Sequence, residues 1–246
     1  MLRMMRSLPM ILAMAAFGIF ATSCGTDHAQ MRFVHASPDA QNFDVTIDGK
    51  SFATGLSYGS VSPISGYTTV KAGTRALEVF DTGTTTNPRI NSNISFTSGS
   101  DYTVLASGNV NPQPGTIAPV VVTDSKTAPT SGNVSVRVIH DSPSVTADGN
   151  SGPGHIDVYI VTPGADITNM SPNISSLAYQ QASAYQTLTA GPLQVIATLT
   201  GDANKLPIAN QTYPDLATGQ VRTFVILDNA GGGSVSLTPL ELSDLN

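Results

Sequence analysis

The chain has 246 residues, with 11 Lys and Arg against 17 Asp and Glu, a formal net charge of −6, one Cys and no Trp. An acidic chain without basic runs cannot neutralise a phosphate backbone, which sets nucleic acid aside as a partner. A lone cysteine leaves no intramolecular disulfide, so stability must come from buried apolar surface, and at this length two domains of about 100 residues are the natural arrangement.

Arg3 and Arg6 open the chain, and apolar residues follow from Leu8 to Phe20. As a helix that run reaches ~20 Å, short of a hydrocarbon core of ~30 Å. Residues 1–23 therefore read as a secretory signal helix rather than a permanent span. The segment ends in Ala21-Thr22-Ser23-Cys24, which resembles the lipobox of bacterial lipoproteins. The resemblance implies cleavage before Cys24 and a diacylglyceryl group on its sulfur. Loss of Arg3 and Arg6 from the 11 cations leaves 9 against 17 acids, a net −8 over residues 24–246. Anionic headgroups repel such a chain, so the lipid is its expected hold on a membrane. Gly25 stands where some Gram-negative bacteria place the Asp that retains lipoproteins in the inner membrane, which favours the outer membrane in such a host. Residues 24–30 are the expected tether.

Beyond Cys24 no stretch keeps helical apolar spacing for three turns without Pro or Gly. Alternation takes its place. In FDVTID, Phe43, Val45 and Ile47 share one face, and Asp48-Gly49 follows as a tight hairpin signal. RALEVF, NISF, YTVLAS and IAPVVVT supply further short strands, punctuated by 22 Gly and 16 Pro. The second half retraces the first. Arg32-Phe33-Val34-His35 matches Arg137-Val138-Ile139-His140, FDVTID matches IDVYIV, and DYTVLASGN from Asp101 matches VRTFVILDN from Val221. Tyr58 and Tyr67 recur as Tyr179 and Tyr185. The polar stretch 125–132 reads as a linker. The expectation is all-β: two tandem immunoglobulin-like or transthyretin-like β-sandwich domains, 31–124 and 133–246, each folding on its own.

VHASPDA, a strand ending in Asp-Gly, LSYG, the KAGT after Tyr67, and YTVLASG together resemble the bacterial domain of unknown function 4397. The resemblance spans residues 31–108 and, more loosely, 134–246, where Asp141 and Ser144 stand in place of Ala36 and Asp39. It implies a secreted or lipid-anchored envelope protein, often with tandem copies, and it implies no activity.

The repeated phrase His-x-Ser-Pro, His35-Ser37-Pro38 and His140-Ser142-Pro143, reads as a strand stop. Each His shares parity with the apolar residues of its strand, and Pro has no N–H to continue a ladder. Gly55 to Gly59, GLSYG, fits the nucleophile-elbow pattern in letters only, since no helix follows it and no His follows in its own half. No enzymatic role is expected. Between Pro143 and Asp157 the second half is eight residues longer than the first is between Pro38 and Asp44. That inserted loop is rich in oxygen donors and Gly, so Asp148 and Asn150, with His155 and Asp157, are the candidate metal ligands, with Ca²⁺ the ion such oxygens suit. The recurring Tyr pairs read as packing residues rather than sugar platforms. Together these readings describe a lipid-anchored, non-catalytic binding or structural module without a cofactor. Its partner would be an envelope protein or a glycan. The alternative is a metal- or glycan-binding surface protein, or a surface enzyme, that uses the inserted loop.

Overall fold

Alternating apolar residues make the strands, and Asp, Gly and Pro end them. The computed structural model describes residues 27–111, 116–145, 154–229 and 238–245, all strand, turn or loop, with no helix among them. The signal segment, Cys24, Asp148 and Asn150 lie outside the described residues.

The first half contains β1 (His28–Ala36), β2 (Phe43–Ile47), β3 (Lys50–Leu56), β4 (Val61–Ser62), β5 (Thr68–Lys71), β6 (Gly73–Asp81), β7 (Ile90–Phe96), β8 (Asp101–Ser107) and β9 (Ala118–Asp124). One sheet runs β3-β2-β6-β7; the other runs β4-β1-β8-β9, with β5 also on β1. β1 and β8 pair in parallel, Phe33 opposite Val104, while the other pairs are antiparallel. The Asp48-Gly49 turn has φ of 50° and 71°, the two positive values of a type I′ hairpin. β1 starts at His28, inside the stretch expected as a tether, because Ala29 pairs with Val70 and is buried in the core.

The second half repeats this plan. It contains β10 (Asn133–Asp141), β11 (Ile156–Val161), β12 (Ile174–Leu177), β13 (Gln181–Ala182), β14 (Gln186–Thr189), β15 (Gly191–Leu199), β16 (Pro207–Leu216), β17 (Val221–Leu227) and β18 (Thr238–Leu245). Its sheets run β12-β11-β15-β16 and β13-β10-β17-β18, with β14 on β10 and β10 parallel to β17.

Each half has its own core between its two sheets, around Phe33, Phe43, Leu77 and Val104 in the first and Val138, Val158, Val195 and Phe224 in the second. A third apolar cluster joins the halves: Val34, Ala36 and Leu105 meet Ile139, Val225, Leu227 and Leu242. The β1 and β10 sheets therefore pack against one another, and the molecule is a stack of four sheets. Burial on both faces explains why β8 and β17 are buried at every position and read as nearly continuous apolar runs. The halves thus meet at a buried apolar interface as well as through the polar stretch 125–132.

Candidate functional site

Strand parity builds the seam between the halves. β1 turns Met31 and Phe33 into its own sandwich and sends Arg32, Val34 and Ala36 the other way; β10 does the same with Val136 and Val138 against Arg137, Ile139 and Asp141. A guanidinium thus emerges from each strand into a buried interface. Arg32 Nε donates to Thr103 Oγ1 at 2.8 Å, Nη1 to Ser243 O at 2.7 Å, and Nη2 to the Asp244 carboxylate. Arg137 copies it: Nε to Thr223 Oγ1 at 2.8 Å, Nη1 to Thr123 O at 2.8 Å, and Nη2 to the Asp124 carboxylate.

The acceptors are held in the same symmetric way. Thr103 and Tyr67 donate to Asp124 Oδ2, both at 2.7 Å. Thr223 and Tyr185 donate to Asp244 Oδ2, at 2.6 and 2.9 Å. Each guanidinium lies 4.8 Å from the ring centre of its tyrosine, Arg32 over Tyr67 and Arg137 over Tyr185. Both Arg are 2 % exposed, so these are sealed ion pairs in which two cations face two anions. Burial pushes the Asp244 carboxyl up while the Arg32 charge pulls it down. Burial pushes the Tyr67 and Tyr185 hydroxyls up, with the nearby carboxylates adding to it.

Beyond this network sit the His-x-Ser-Pro strand ends. His35 Nε2 lies 2.8 Å from Gln41 O, and its Nδ1 accepts the Ser37 N–H at 3.3 Å. His140 Nε2 lies 3.0 Å from Gly154 O, and its Nδ1 accepts the Ser142 N–H at 3.4 Å. These contacts require the neutral Nε2–H tautomer in both rings. Desolvation is the main cause that lowers both imidazoles, His140 to about 4. His35 also stacks on Phe43 with ring centres 3.9 Å apart. The two tyrosines of the matched turns stand edge-on to these rings and cross the seam: Tyr58 OH donates to Asp228 O at 2.7 Å, and Tyr179 OH meets Ser107 Oγ at 3.1 Å.

The described metal candidates occupy a different place. His155 is exposed and lines an open cleft of about 470 Å³ with Ser176, Thr200, Asp202 and Leu206, all of the second half. Asp157 Oδ1 accepts the Ser176 N–H at 2.8 Å and the Thr200 hydroxyl at 3.0 Å, clamping a β-bulge between β11 and β12. Asp44 clamps the matching bulge between β2 and β3, accepting the Gly55 N–H at 2.8 Å and the Thr82 hydroxyl at 3.1 Å. The clamp thus exists in the half that lacks the inserted loop. Among the described residues no three His, Cys, Asp or Glu converge as a metal group. His140 is buried, with both ring nitrogens engaged by Gly154 O and the Ser142 N–H. In GLSYG, the Ser57 hydroxyl pairs with the Ser60 hydroxyl at 2.9 Å.

The residues that dominate the seam, Arg32, Arg137, Asp124 and Asp244, were not singled out by their chemistry. The signal was present: an Arg recurs at the same place inside two apolar strands, and an Asp closes each half.

Residues 29–147 match the model of a family described as "Domain of unknown function (DUF4397)". The matched segment runs through both His-x-Ser-Pro phrases and ends just past Pro143. No curated protein matches the chain. Among solved structures, a leucine-rich repeat protein from Bacteroides thetaiotaomicron VPI-5482 is similar at 13 % identity and a TM-score of 0.22, over 85 % of this chain and 27 % of that one. The chain thus spans about a quarter of that protein's length.

Proposed function

We propose that this chain is a non-catalytic binding or structural module of the bacterial cell envelope, exported by residues 1–23 and held at a membrane by lipid on Cys24. The observation that carries this reading is the reciprocal exchange of Arg32 to Asp244 and Arg137 to Asp124 across a buried seam. Two buried ion pairs thereby hold two sandwiches in one orientation, which is what a rigid display or spacer unit needs. The second half is read as a diverged copy of the domain matched at 29–147, because its strands pair in the same order, including the parallel pair β10–β17. The partner is an envelope protein or a glycan, with the outer membrane the favoured address.

Metabolic labelling with a clickable palmitate tests the anchor. Wild type should take the label and stay with membranes; Cys24→Ser should lose both. An unlabelled wild type would overturn the reading. The cleft at His155 supports a second reading, a surface that takes a small polar ligand or a glycan beside the inserted loop. A glycan array probed with wild type and with His155→Ala separates the two.

A further inference from the structure

Charge balances at one end of the seam and not at the other. Where Arg32 and Arg137 cross, two guanidinium groups meet two carboxylates. At the far end lie Asp141, fully buried, and Asp228, 5 % exposed, with only neutral partners. Ser107 donates to Asp141 Oδ1; Ser142 and Ser144 donate their hydroxyls to Asp228 Oδ1, and the Ser144 N–H reaches Asp228 Oδ2 at 3.2 Å. Asp141 Oδ2 is buried with no hydrogen-bond partner among the described residues. In sequence, residues 146–153 and 230–237 contain no Lys or Arg.

Both carboxylates are departures from the symmetry of the molecule. Asp141 corresponds to Ala36 by the parallel registers, Ala36 opposite Ser107 and Asp141 opposite Leu227. Asp228 corresponds to Gly108, where a Cβ would sit 2.2 Å from Thr116 O. The second half alone thus places acids at these two seam positions. The ionisable groups facing Asp141 are Asp228 after β17, Tyr58 from the turn after β3 and Tyr179 from the turn after β12; Ser107 of β8 and Gln180 complete its surroundings. His140 precedes Asp141 but turns into the sandwich core, towards Gly154 O.

An ionised carboxylate in this position is desolvated, has one oxygen unbonded and lies beside a second anion. Each of these costs free energy that a proton removes. We propose that Asp141 is a proton-operated latch between the halves: protonated, it closes this end of the seam, and ionised beside Asp228 it loosens it. The proton sits on Oδ1, so the bond with Ser107 reverses, Asp141 donating and Ser107 turning its hydroxyl to Tyr179, whose oxygen is 3.1 Å away. Oδ2 is then a neutral carbonyl, cheaper to leave unbonded than half of a carboxylate. In keeping with this geometry, burial pushes the Asp141 carboxyl up to about 7, with Asp228 adding to it and the Ser107 bond opposing. A carboxyl raised from 3.8 in this way stabilises the folded chain fully below pH 3.8, and the contribution is lost as pH rises to about 7.

The test is urea unfolding of the full chain and of Asp141→Asn across pH 4 to 9. The folding equilibrium constant of wild type, relative to the variant, should fall by up to about tenfold per pH unit and level off above pH 7. Asp228→Asn should move that titration to lower pH, a shift that a purely structural role would not produce. Between about pH 5.5 and 7, where ordinary carboxyls are ionised, an infrared carboxylic-acid carbonyl band in wild type that is weaker in Asp141→Asn reads the proton directly. If Asp141→Asn fails to fold, Asp141→Ala, which restores the residue of the first half, takes its place. Parallel pH profiles for wild type and variant would overturn the latch. So would a rise in melting temperature with Ca²⁺ in wild type that Asp141→Asn loses, since a metal ion rather than a proton would then fill the site.

Discussion

Arg137 of β10 reaches back across the seam to Asp124, the last residue of β9, thirteen positions before it in the chain. Its counterpart Arg32 reaches Asp244, 212 positions ahead. Contacts so different in sequence separation are nearly identical in geometry, so the seam is an isologous interface closed within one chain. Removing one partner of a buried, hydrogen-bonded ion pair leaves the other charge uncompensated and typically costs ~3–5 kcal/mol. Arg32→Ala and Arg137→Ala should each lose about that much in urea unfolding, by similar amounts. Arg75→Ala, which breaks a partly exposed contact with Asp48, should lose less than about 1 kcal/mol. Equal losses at Arg75 and Arg137 would show that the seam contributes nothing special.

The same seam predicts how the chain responds to a cut. Ser125 N–H donates to Tyr185 OH at the start of the linker and Gly132 N–H donates to Thr218 Oγ1 at 2.7 Å at its end, so both ends are tied and the middle, 128–131, is the place for an inserted protease site. After cleavage the halves should elute together and melt in one transition, because Val34, Ala36 and Leu105 are buried in an apolar cluster shared with Ile139, Val225, Leu227 and Leu242 of the other half. Two separate peaks, each melting alone, would show halves that fold independently, as the polar linker suggests.

The strands and the doubled plan were legible because period-two alternation and punctuation are local signals, and FDVTID with its Asp-Gly turn folds as it reads. The seam is not legible in alternation, which by itself implies one buried face and one wet one. RFVHA and TFVIL are apolar at both parities, the mark of strands covered twice. Arg32 and Arg137 were visible as a repeat, yet their partners are set by how two sheets dock, which no spacing along the chain encodes. The His-x-Ser-Pro geometry lay closer to the surface of the sequence, since the Ser N–H that each imidazole accepts is only two residues away.

Those imidazoles carry a pH dependence of their own. His140 is neutral in the fold, lowered to about 4 by burial, against an unfolded value of 6.5. A depressed folded value means stability present above pH 6.5 and lost as pH falls towards 4, by about 3 kcal/mol at 1.4 kcal/mol per unit. This is opposite in sign to Asp141 over an overlapping range, so the measurement belongs in an Asp141→Asn background. There His140→Gln should flatten the loss between pH 6.5 and 4. At pH 7.5, His35→Ala and His140→Ala should cost ~1–3 kcal/mol each, whether EDTA or Ca²⁺ is present. A mutant as stable as wild type in EDTA that has lost a metal-induced rise in melting temperature would instead make these residues ligands.

Asp157 and Asp44 offer the last comparison, because one lies beside the inserted loop and the other does not. Each accepts a backbone N–H at its bulge and a Thr hydroxyl from the neighbouring strand. The N–H belongs to Ser176 in one half and Gly55 in the other, at φ of 52° and 63°. Left-handed backbone is free for Gly and strained for Ser by ~1 kcal/mol. If both carboxylates are bulge clamps, Asp157→Ala and Asp44→Ala should each cost about 1 kcal/mol without any metal, and Ser176→Gly should be neutral or slightly stabilising. If Asp157 instead serves a cation, Asp157→Ala should be silent in EDTA and should abolish any stabilisation by Ca²⁺, while Asp44→Ala keeps its cost in both conditions. Thermal melts of the three variants with EDTA and with Ca²⁺ decide between a repeated structural clamp and a site that belongs to the second half alone.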